Sequence, residues 1–374
     1  MDADVLVVGA GPAGLAVAAC LRRRGVDVLV VDRGAAVGDS WRKRYDRLHL
    51  HTPRVQSALP GLRVPRRFGR WVAKDDVARY LGQYAEHHGL APRFGTEVRR
   101  LEQDGDSWKA TTDGPPLQVR QVVIATGYNC APVQPDWPGQ DTFPGPVLHA
   151  SDYANPEPYR GKDVLVVGAG NTGAEIAADL AQGGAARVWL AVRTPPNVVT
   201  RQLGPIPTTL LAISMDSSPA WLADPINRFL QRRFVGDLTR YGLPAPRMGV
   251  VTQMRTTGVT PTIDVGLIQE LKAGRITPVA ALERFDGGEA VLADGTRLTQ
   301  DAVIAATGYT TGLAPMVGHL GALDERGRPL SNGAATKVPG LRFVGLTSPL
   351  KGLLLQINLD ARATARAVAR ELGS

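Results

Sequence analysis

Two strand–loop–helix–strand units with the same glycine spacing constrain this 374-residue chain more than any other feature. In the first, the apolar run Val5-Leu6-Val7-Val8 ends in Gly9-Ala10-Gly11-Pro12-Ala13-Gly14. A helical, alanine-rich stretch follows from Pro12 to Arg24, Gly25 stops it, and Val28-Leu29-Val30-Val31-Asp32 reads as a second strand. In the second, Asp163-Val164-Leu165-Val166-Val167 leads into Gly168-Ala169-Gly170-Asn171-Thr172-Gly173. A helix to about Gln182 follows, then a strand over Arg187-Val188-Trp189-Leu190-Ala191-Val192. In this context GxGxxG is the signature of a dinucleotide-binding fold. One glycine permits the tight turn, one lets the backbone approach a pyrophosphate, and one lets helix and strand pack closely. The helix N-terminus turns free N–H groups and a positive dipole end toward the phosphates.

The residue after each second strand separates the two units. Asp32 lies 23 residues after Gly9, where a carboxylate can accept hydrogen bonds from a ribose diol. Arg193 stands at the equivalent place in the second unit, where a guanidinium can grip a 2′-phosphate. The first site therefore suits a dinucleotide with a free ribose, and the second suits NADPH. A second duplication follows the first. Val122-Val123-Ile124-Ala125-Thr126-Gly127-Tyr128 and Ala302-Val303-Ile304-Ala305-Ala306-Thr307-Gly308-Tyr309 are each an apolar strand ending in Ala-Thr-Gly-Tyr. Such a glycine lets the backbone turn close to a ligand or a neighbouring strand.

Composition narrows the class. Apolar residues make up 44% of the chain and charged residues 21%, ordinary for a globular fold and against disorder. Cys20 and Cys130, the two cysteines, form no CxxC pair and no zinc spacing, which excludes reductases that use a CxxC dithiol. The Met1-Asp2-Ala3-Asp4 start lacks a basic region of signal-peptide type, and no apolar run approaches a membrane span. The expectation is a soluble cytoplasmic protein. The net charge is +8, but basic residues are scattered without a nucleic-acid motif, so no nucleic-acid partner is expected. Between the units runs a proline-rich linker with Pro132, Pro135, Pro138, Pro144, Pro146, Pro156 and Pro158.

The linker also carries Phe143-Pro144-Gly145-Pro146-Val147-Leu148-His149-Ala150-Ser151-Asp152-Tyr153, a match to FxGxxxHxxxY between two GxGxxG loops. This order of motifs resembles class B flavin monooxygenases. Gly38-Asp39-Ser40-Trp41, Leu48-His49-Leu50-His51-Thr52-Pro53-Arg54, Leu59-Pro60-Gly61, Tyr241-Gly242-Leu243-Pro244-Ala245-Pro246 and Thr260-Pro261-Thr262-Ile263-Asp264-Val265-Gly266 are similar to the plant YUCCA flavin monooxygenases and their bacterial relatives. The likeness covers nearly the whole chain.

The resemblance implies an α/β fold with two Rossmann-like domains, one for FAD and one for NADPH. The FAD domain is then discontinuous, over residues 1–155 and 310–374, with the NADPH domain inserted at 156–309. It implies that NADPH reduces FAD and that reduced flavin and O2 form a C4a-(hydro)peroxyflavin that oxygenates a small organic substrate. A keto acid or carbonyl losing CO2 is the leading substrate class. An amine or thioether, a Baeyer–Villiger reaction, or a flavin redox sensor without a substrate are the alternatives. A homodimer is compatible with these readings.

Residue by residue, Gly9, Gly11 and Gly14 would hold the FAD pyrophosphate and Asp32 its ribose, with Pro12, Ala13, Arg33, Ala125, Thr126 and Gly127 beside them. Trp41 and the His51-Thr52 stretch would lie near the isoalloxazine, although Trp41 also fits simple core packing. Gly168, Gly170, Asn171, Thr172 and Gly173 would hold the NADPH pyrophosphate and Arg193 the 2′-phosphate, with Thr307 and Gly308 nearby. The C-terminal helix, read over Asn358 to Leu372 with Leu359, Ala363, Ala367 and Val368 on one side, would aim its start near Gln356 at the flavin. No metal site is expected. His51, Thr52 and His149 are the catalytic candidates, and His149 equally suits a role in fixing the linker. Many heteroatom-oxidising members have an asparagine where this chain has His51-Thr52-Pro53-Arg54, which weakens transfer of the amine-oxidation mechanism. In the segment 204–234, Leu222, Ile226, Phe229 and Leu230 beside Trp221 read as an amphipathic core helix, with a lid, substrate wall or membrane contact as the alternative.

Overall fold

The computed structural model describes residues 1–216 and 218–373. The elements that frame the sites are β1 (Ala3–Val8), α1 (Pro12–Arg22), β2 (Val28–Val31), α2 (Lys74–His87), β3 (Val98–Asp104), β4 (Ser107–Thr112) and β5 (Leu117–Ile124). They continue with β6 (Val147–His149), β7 (Asp163–Val167), α3 (Asn171–Gln182), β8 (Arg187–Ala191), β9 (Val198–Thr200) and α4 (Ala220–Phe234). The last are β10 (Thr262–Asp264), β11 (Ile276–Val279), β12 (Ala302–Ala305), β13 (Leu341–Phe343) and α5 (Leu353–Leu372).

The fold is α/β with two units, each built on a βαβ core. The first comprises Met1–Lys43, Thr52–Ala131 and Tyr309–Ser374. Its sheet runs β2-β1-β5-β4-β3, with β13 pairing β5. β1 is parallel to β2 and β5, and β13 is parallel to β5, whereas β3 and β4 are antiparallel. Buried parallel strands carry apolar side chains on both faces, which is why Val5, Leu6 and Val7 form a continuous run with no exposure. Leu6, Trp108, Val122, Ile124 and Phe343 sit in one core cluster of this unit.

The second unit comprises Arg44–His51 and Pro132–Gly308. Its five-stranded sheet is wholly parallel, in the order β11-β8-β7-β12-β6. The proline-rich connection enters this unit well before residue 155 because β6 pairs with β12, Val147 opposite Val303 and His149 opposite Ala305. Beside the sheet, Leu282–Asp286, Glu289–Leu292 and Arg297–Leu298 form an antiparallel meander at the turns marked by Asp286-Gly287-Gly288 and Asp294-Gly295.

Two helix readings need correction. α1 ends at Arg22, because Gly25, with φ +76°, closes the turn that feeds β2. α5 starts at Leu353 rather than Asn358, and its buried face is Leu354, Ile357, Ala361, Ala365 and Val368, while Leu359 is 49% exposed. The apolar stripe begins one turn earlier, at Leu354, and of the four positions expected from the sequence only Val368 lies on it. No helix among the described residues is long and apolar enough to cross a membrane.

Candidate functional site

The two glycine loops repeat each other in detail. Gly9 has φ +108° and Gly168 φ +111°, values that disfavour any side chain. A Cβ on Gly9 would lie 2.6 Å from Ala125 O, and one on Gly168 would lie 2.5 Å from Ala306 O. The Ala-Thr-Gly-Tyr turns therefore each press against their own glycine loop, which explains why the two motifs are duplicated together. A Cβ on Gly14 would overlap Gly9 O, and one on Gly173 would overlap Gly168 O, so these glycines set how closely helix and strand pack. Gly11 and Gly170 differ from the others. Both have extended backbones, φ −77° and −73°, and a Cβ there would meet nothing within 4 Å. Open space at the middle glycine is what a pyrophosphate needs if it is to touch the backbone.

Both helices behind these loops begin without a side-chain cap and without an acidic residue in the first turn. Their first N–H groups are left for an anion. The Asp32 carboxylate accepts from Ala10 N at 2.6 Å and from Gly34 N at 2.7 Å, which ties the first loop to the end of β2. A carboxylate oxygen has a second lone pair, so a ribose hydroxyl can still donate to it. Arg33 is exposed and reaches Cys130 O at 3.5 Å and Glu97 at 3.9 Å. Thr126 Oγ1 is buried with no hydrogen-bond partner beside the Gly9 turn, an unmet polar atom where the flavin nucleotide would lie. These features fit FAD.

In the second loop the Asn171 side chain is already used. Its Nδ2 donates to Pro261 O at 3.0 Å and its Oδ1 accepts from Ile263 N at 2.8 Å, which joins the helix start to β10. Only its backbone N–H is left for a phosphate. Thr172 is half-buried at the helix start. Thr307 Oγ1 donates to Val133 O at 2.5 Å, so the second copy lacks the unmet hydroxyl of the first. Arg193, just past β8, is exposed and makes no ion pair or hydrogen bond among the described residues. An open middle glycine and a free guanidinium fit NADPH.

The FxGxxxHxxxY residues hold the second unit together. Phe143 stacks on Phe285 with centroids 5.2 Å apart, and Tyr153 donates to Asp179 at 2.8 Å. His149 is 3% exposed. Its Nδ1 accepts from Ser151 N at 3.0 Å, and its Nε2 lies 3.1 Å from Gly308 O, to which it donates. This imidazole braces the second Ala-Thr-Gly turn, which suits the linker-fixing role. Burial holds its pKa below the ordinary 6.5. The unfolded chain thus takes up a proton at this residue before the folded chain does. Stability is full above 6.5 and falls as pH drops below it, by up to about 1.4 kcal/mol per pH unit for one such group. His88, also lowered by burial, adds to the same trend. Chemical denaturation between pH 7.5 and 5 should show this loss in the parent and a shallower one in His149→Asn. Equal slopes in both proteins would contradict it.

A further cluster was not legible in the motifs. Glu175, on α3, is 3% exposed, and its Oε2 accepts the Tyr45 O–H at 2.7 Å while Oε1 faces His51 Nε2. Burial and then the Glu175 carboxylate push the Tyr45 phenol well above 10, so it remains a proton donor. One turn on, Asp179 pairs with Arg47 at 3.5 Å, and Arg47 also donates to Val265 O at 2.9 Å. Arg201 donates to Leu50 O at 2.6 Å, with its pKa lowered to about 10 by burial against the raising effect of Glu175. These contacts explain why Arg44–His51 belongs to the second unit. The one sequence signal was an acid set in Gly173-Ala174-Glu175-Ile176-Ala177, a stretch otherwise small and apolar.

A family model described as pyridine nucleotide-disulphide oxidoreductase matches residues 6–203, so the chain belongs to that family. The probable indole-3-pyruvate monooxygenase YUCCA3 of Arabidopsis thaliana is 35% identical over 380 residues, with 97% of this chain and 86% of the relative covered. The indole-3-pyruvate monooxygenase YUCCA1 of Oryza sativa subsp. japonica is 36% identical over 366 residues, covering 93% and 87%. The chain belongs to the YUCCA-type flavin monooxygenases. A mutant form of a flavin monooxygenase from Stenotrophomonas maltophilia is similar in structure, with a TM-score of 0.75, 25% identity and full coverage of both chains.

The remaining candidates of this YUCCA-type chain lie outside the two glycine loops. Thr52 is buried, its Oγ1 2.8 Å from Ser57 Oγ, and Gly352 at the start of α5 packs on its methyl group. Gln56 donates to Lys351 O at 2.6 Å, which fastens the same stretch to the same helix end. Gln356 lies one turn inside α5 and donates to Asp360 Oδ1 at 2.6 Å, so the helix N-terminus is at Gly352, not at Gln356. Trp41, on the short helix Asp39–Arg42, is half-buried and not part of the core. The core-helix reading of α4 is overturned. Trp221 is 77% and Phe229 68% exposed, Leu222 and Ile226 are also exposed, and Ala223 and Asp224 are the buried residues. Periodicity found the helix, but polar Asp224 and small Ala223 make its contacts. Asp224 accepts from Val251 N at 2.8 Å, capping the following helix. Despite the family's disulphide label, Cys20 is buried in α1 and Cys130 is a free thiol far from it in sequence, so no dithiol pair is present among the described residues.

Proposed function

We propose that this YUCCA-type enzyme uses FAD and NADPH to place one atom of O2 on a small carbonyl compound, with a 2-oxo acid of the indole-3-pyruvate kind as the first substrate class. The observation that carries this reading is the pair of glycine loops with matching backbone and opposite ends, Asp32 after one and a free Arg193 after the other. Two dinucleotides are thereby told apart within one chain. Bound flavin and nicotinamide supply the hydride transfer and the activation of O2, while the protein binds, orients and excludes water.

The chain's own contributions follow from the geometry. The backbone at Gly11 and the start of α1 would hold the FAD pyrophosphate, with Asp32 on the ribose and Thr126 Oγ1 as a further donor. The backbone at Gly170 and the start of α3 would hold the NADPH pyrophosphate, with Arg193 on the 2′-phosphate. The His51-Thr52-Pro53-Arg54 stretch, in place of the asparagine of many heteroatom-oxidising members, weakens the case for amine oxidation.

The test mixes NADPH-reduced protein with 18O2 and indole-3-pyruvate in a stopped-flow instrument. One 18O atom in a decarboxylated acid, with flavin absorbance returning as product forms, is the expected result. Quantitative hydrogen peroxide with every 2-oxo acid, ketone, amine and thioether tried would overturn the monooxygenase reading. Product from amines or thioethers alone would replace the substrate class.

A further inference from the structure

Every exposed residue of α4 is either apolar or arginine. The large apolar ones are Trp221, Leu222, Ile226, Phe229 and Phe234. At about 100° per residue, the first four share the side of the helix turned away from buried Ala223 and half-buried Gln231. Arg228 and Arg232 run along the Trp221 edge of that side, and Arg233 follows Phe229 by one turn. None of the three arginines makes an ion pair or hydrogen bond among the described residues, and Arg233 lies over the Phe234 ring, 5.5 Å from its centroid. The one acid of the helix, Asp224, is buried and already accepts from Val251 N and Thr252 N. The helix is fastened from its inner side, where Gln231 Nε2 also donates to Val198 O at 3.0 Å. The outer apolar side plays no part in that fastening. A contiguous exposed apolar face marks a contact surface.

The charge on the face selects its occupant. A second copy fits badly, because the same face would set arginine against arginine with no acid between them. A protein interface also carries a mixed polar rim, and the only polar side chains exposed on α4 are arginines. Aromatic and aliphatic side chains flanked by arginines match the boundary of an anionic bilayer. The apolar groups enter the outer acyl region by about 5–10 Å, and the guanidinium groups meet lipid phosphates. Arginine stems can cover apolar surface while their heads stay at the water-rich layer. No helix among the described residues can cross a membrane, so α4 would lie along the surface. We propose that the outer face of α4 is a docking surface for an anionic phospholipid membrane, with Trp221 and Phe229 as the inserting residues and Arg228, Arg232 and Arg233 as the phosphate contacts.

The test sediments the FAD-loaded full chain with vesicles. One set is phosphatidylcholine with about 30 mol% phosphatidylglycerol, and the other is phosphatidylcholine alone. At about 100 mM salt the parent is expected to bind the anionic set about 100-fold more tightly, as three arginines near an anionic surface imply. In about 1 M salt that preference should vanish. Trp221→Ser/Phe229→Ser should weaken binding to the anionic set by about tenfold or more. Arg228→Gln/Arg232→Gln/Arg233→Gln should bind both sets alike. Both variants should melt with the parent, since the replaced side chains are exposed. Lipids brominated in the acyl chain should quench tryptophan fluorescence in the parent and lose that effect in Trp221→Phe.

A parent that does not sediment with anionic vesicles overturns the proposal. So does vesicle binding that Trp221→Ser/Phe229→Ser leaves unchanged, which would place the contact elsewhere. Self-association abolished by that variant, without vesicle binding, would give the face to a second copy instead. Retention on immobilised polyglutamate, without vesicle binding, would give it to an acidic protein instead.

Discussion

Gly14→Ala is expected to collapse the first unit, whereas Gly11→Ala leaves its fold intact and loses flavin. The added Cβ at Gly14 would overlap the Gly9 carbonyl, which is backbone and cannot rotate away, and would also press on Val7 at 3.2 Å. Relief requires α1 to move off β1, through a core in which Leu15, Ala16 and Val17 have no exposure. Overpacking of this kind costs about 3 kcal/mol or more, a large part of a domain's stability. At Gly11 the backbone is extended, φ −77° and ψ −173°, and the Cβ would point into open space. Alanine there restricts the unfolded chain and leaves apo stability unchanged or up by about 0.5 kcal/mol. The same methyl group occupies the ground a pyrophosphate must approach, so flavin affinity should fall by more than about tenfold. Thermal melts of the apo proteins and flavin titrations measure the two effects separately. A Gly11→Ala protein purified with full flavin would show that the phosphates lie elsewhere.

The second large effect is expected at Arg193. Its guanidinium is exposed past β8 and holds no partner among the described residues, so Arg193→Ala removes no internal contact and should leave the melting temperature alone. A charge-assisted contact to a phosphate contributes about 1.5–3 kcal/mol. NADPH should therefore bind about 10- to 100-fold more weakly while NADH changes little. Rates of flavin reduction at varied concentrations of each coenzyme measure this directly. An unchanged preference for NADPH would move the 2′-phosphate to another cation.

Elements set by local chain geometry were the legible ones. β1, α1 and β2, and their counterparts β7, α3 and β8, lie where apolar runs and glycines place them, to within a few residues at the ends. The Ala-Thr-Gly-Tyr turns were visible as a repeat, but their partner, the Gly9 or Gly168 turn, was not. Asn171 shows the limit of motif reading, since its position suits a phosphate and its side chain serves β10. α4 shows the same limit, because Trp221, Leu222, Ile226 and Phe229 have helical spacing and face solvent.

What the sequence determined alone was the pair of dinucleotide folds. Those rest on a positive φ and a missing Cβ, both decided within about thirty residues of chain. The tertiary structure alone decided the Glu175–His51–Tyr45 cluster. Glu175 is 124 residues from His51 and 130 from Tyr45 in sequence, and no local pattern signals which buried acid will meet which histidine. Such a pairing depends on how α3 and the 44–51 segment pack, and burial is what makes it compulsory. A carboxylate taken out of water must find donors, and the fold supplies a phenol, an imidazole and a nearby guanidinium.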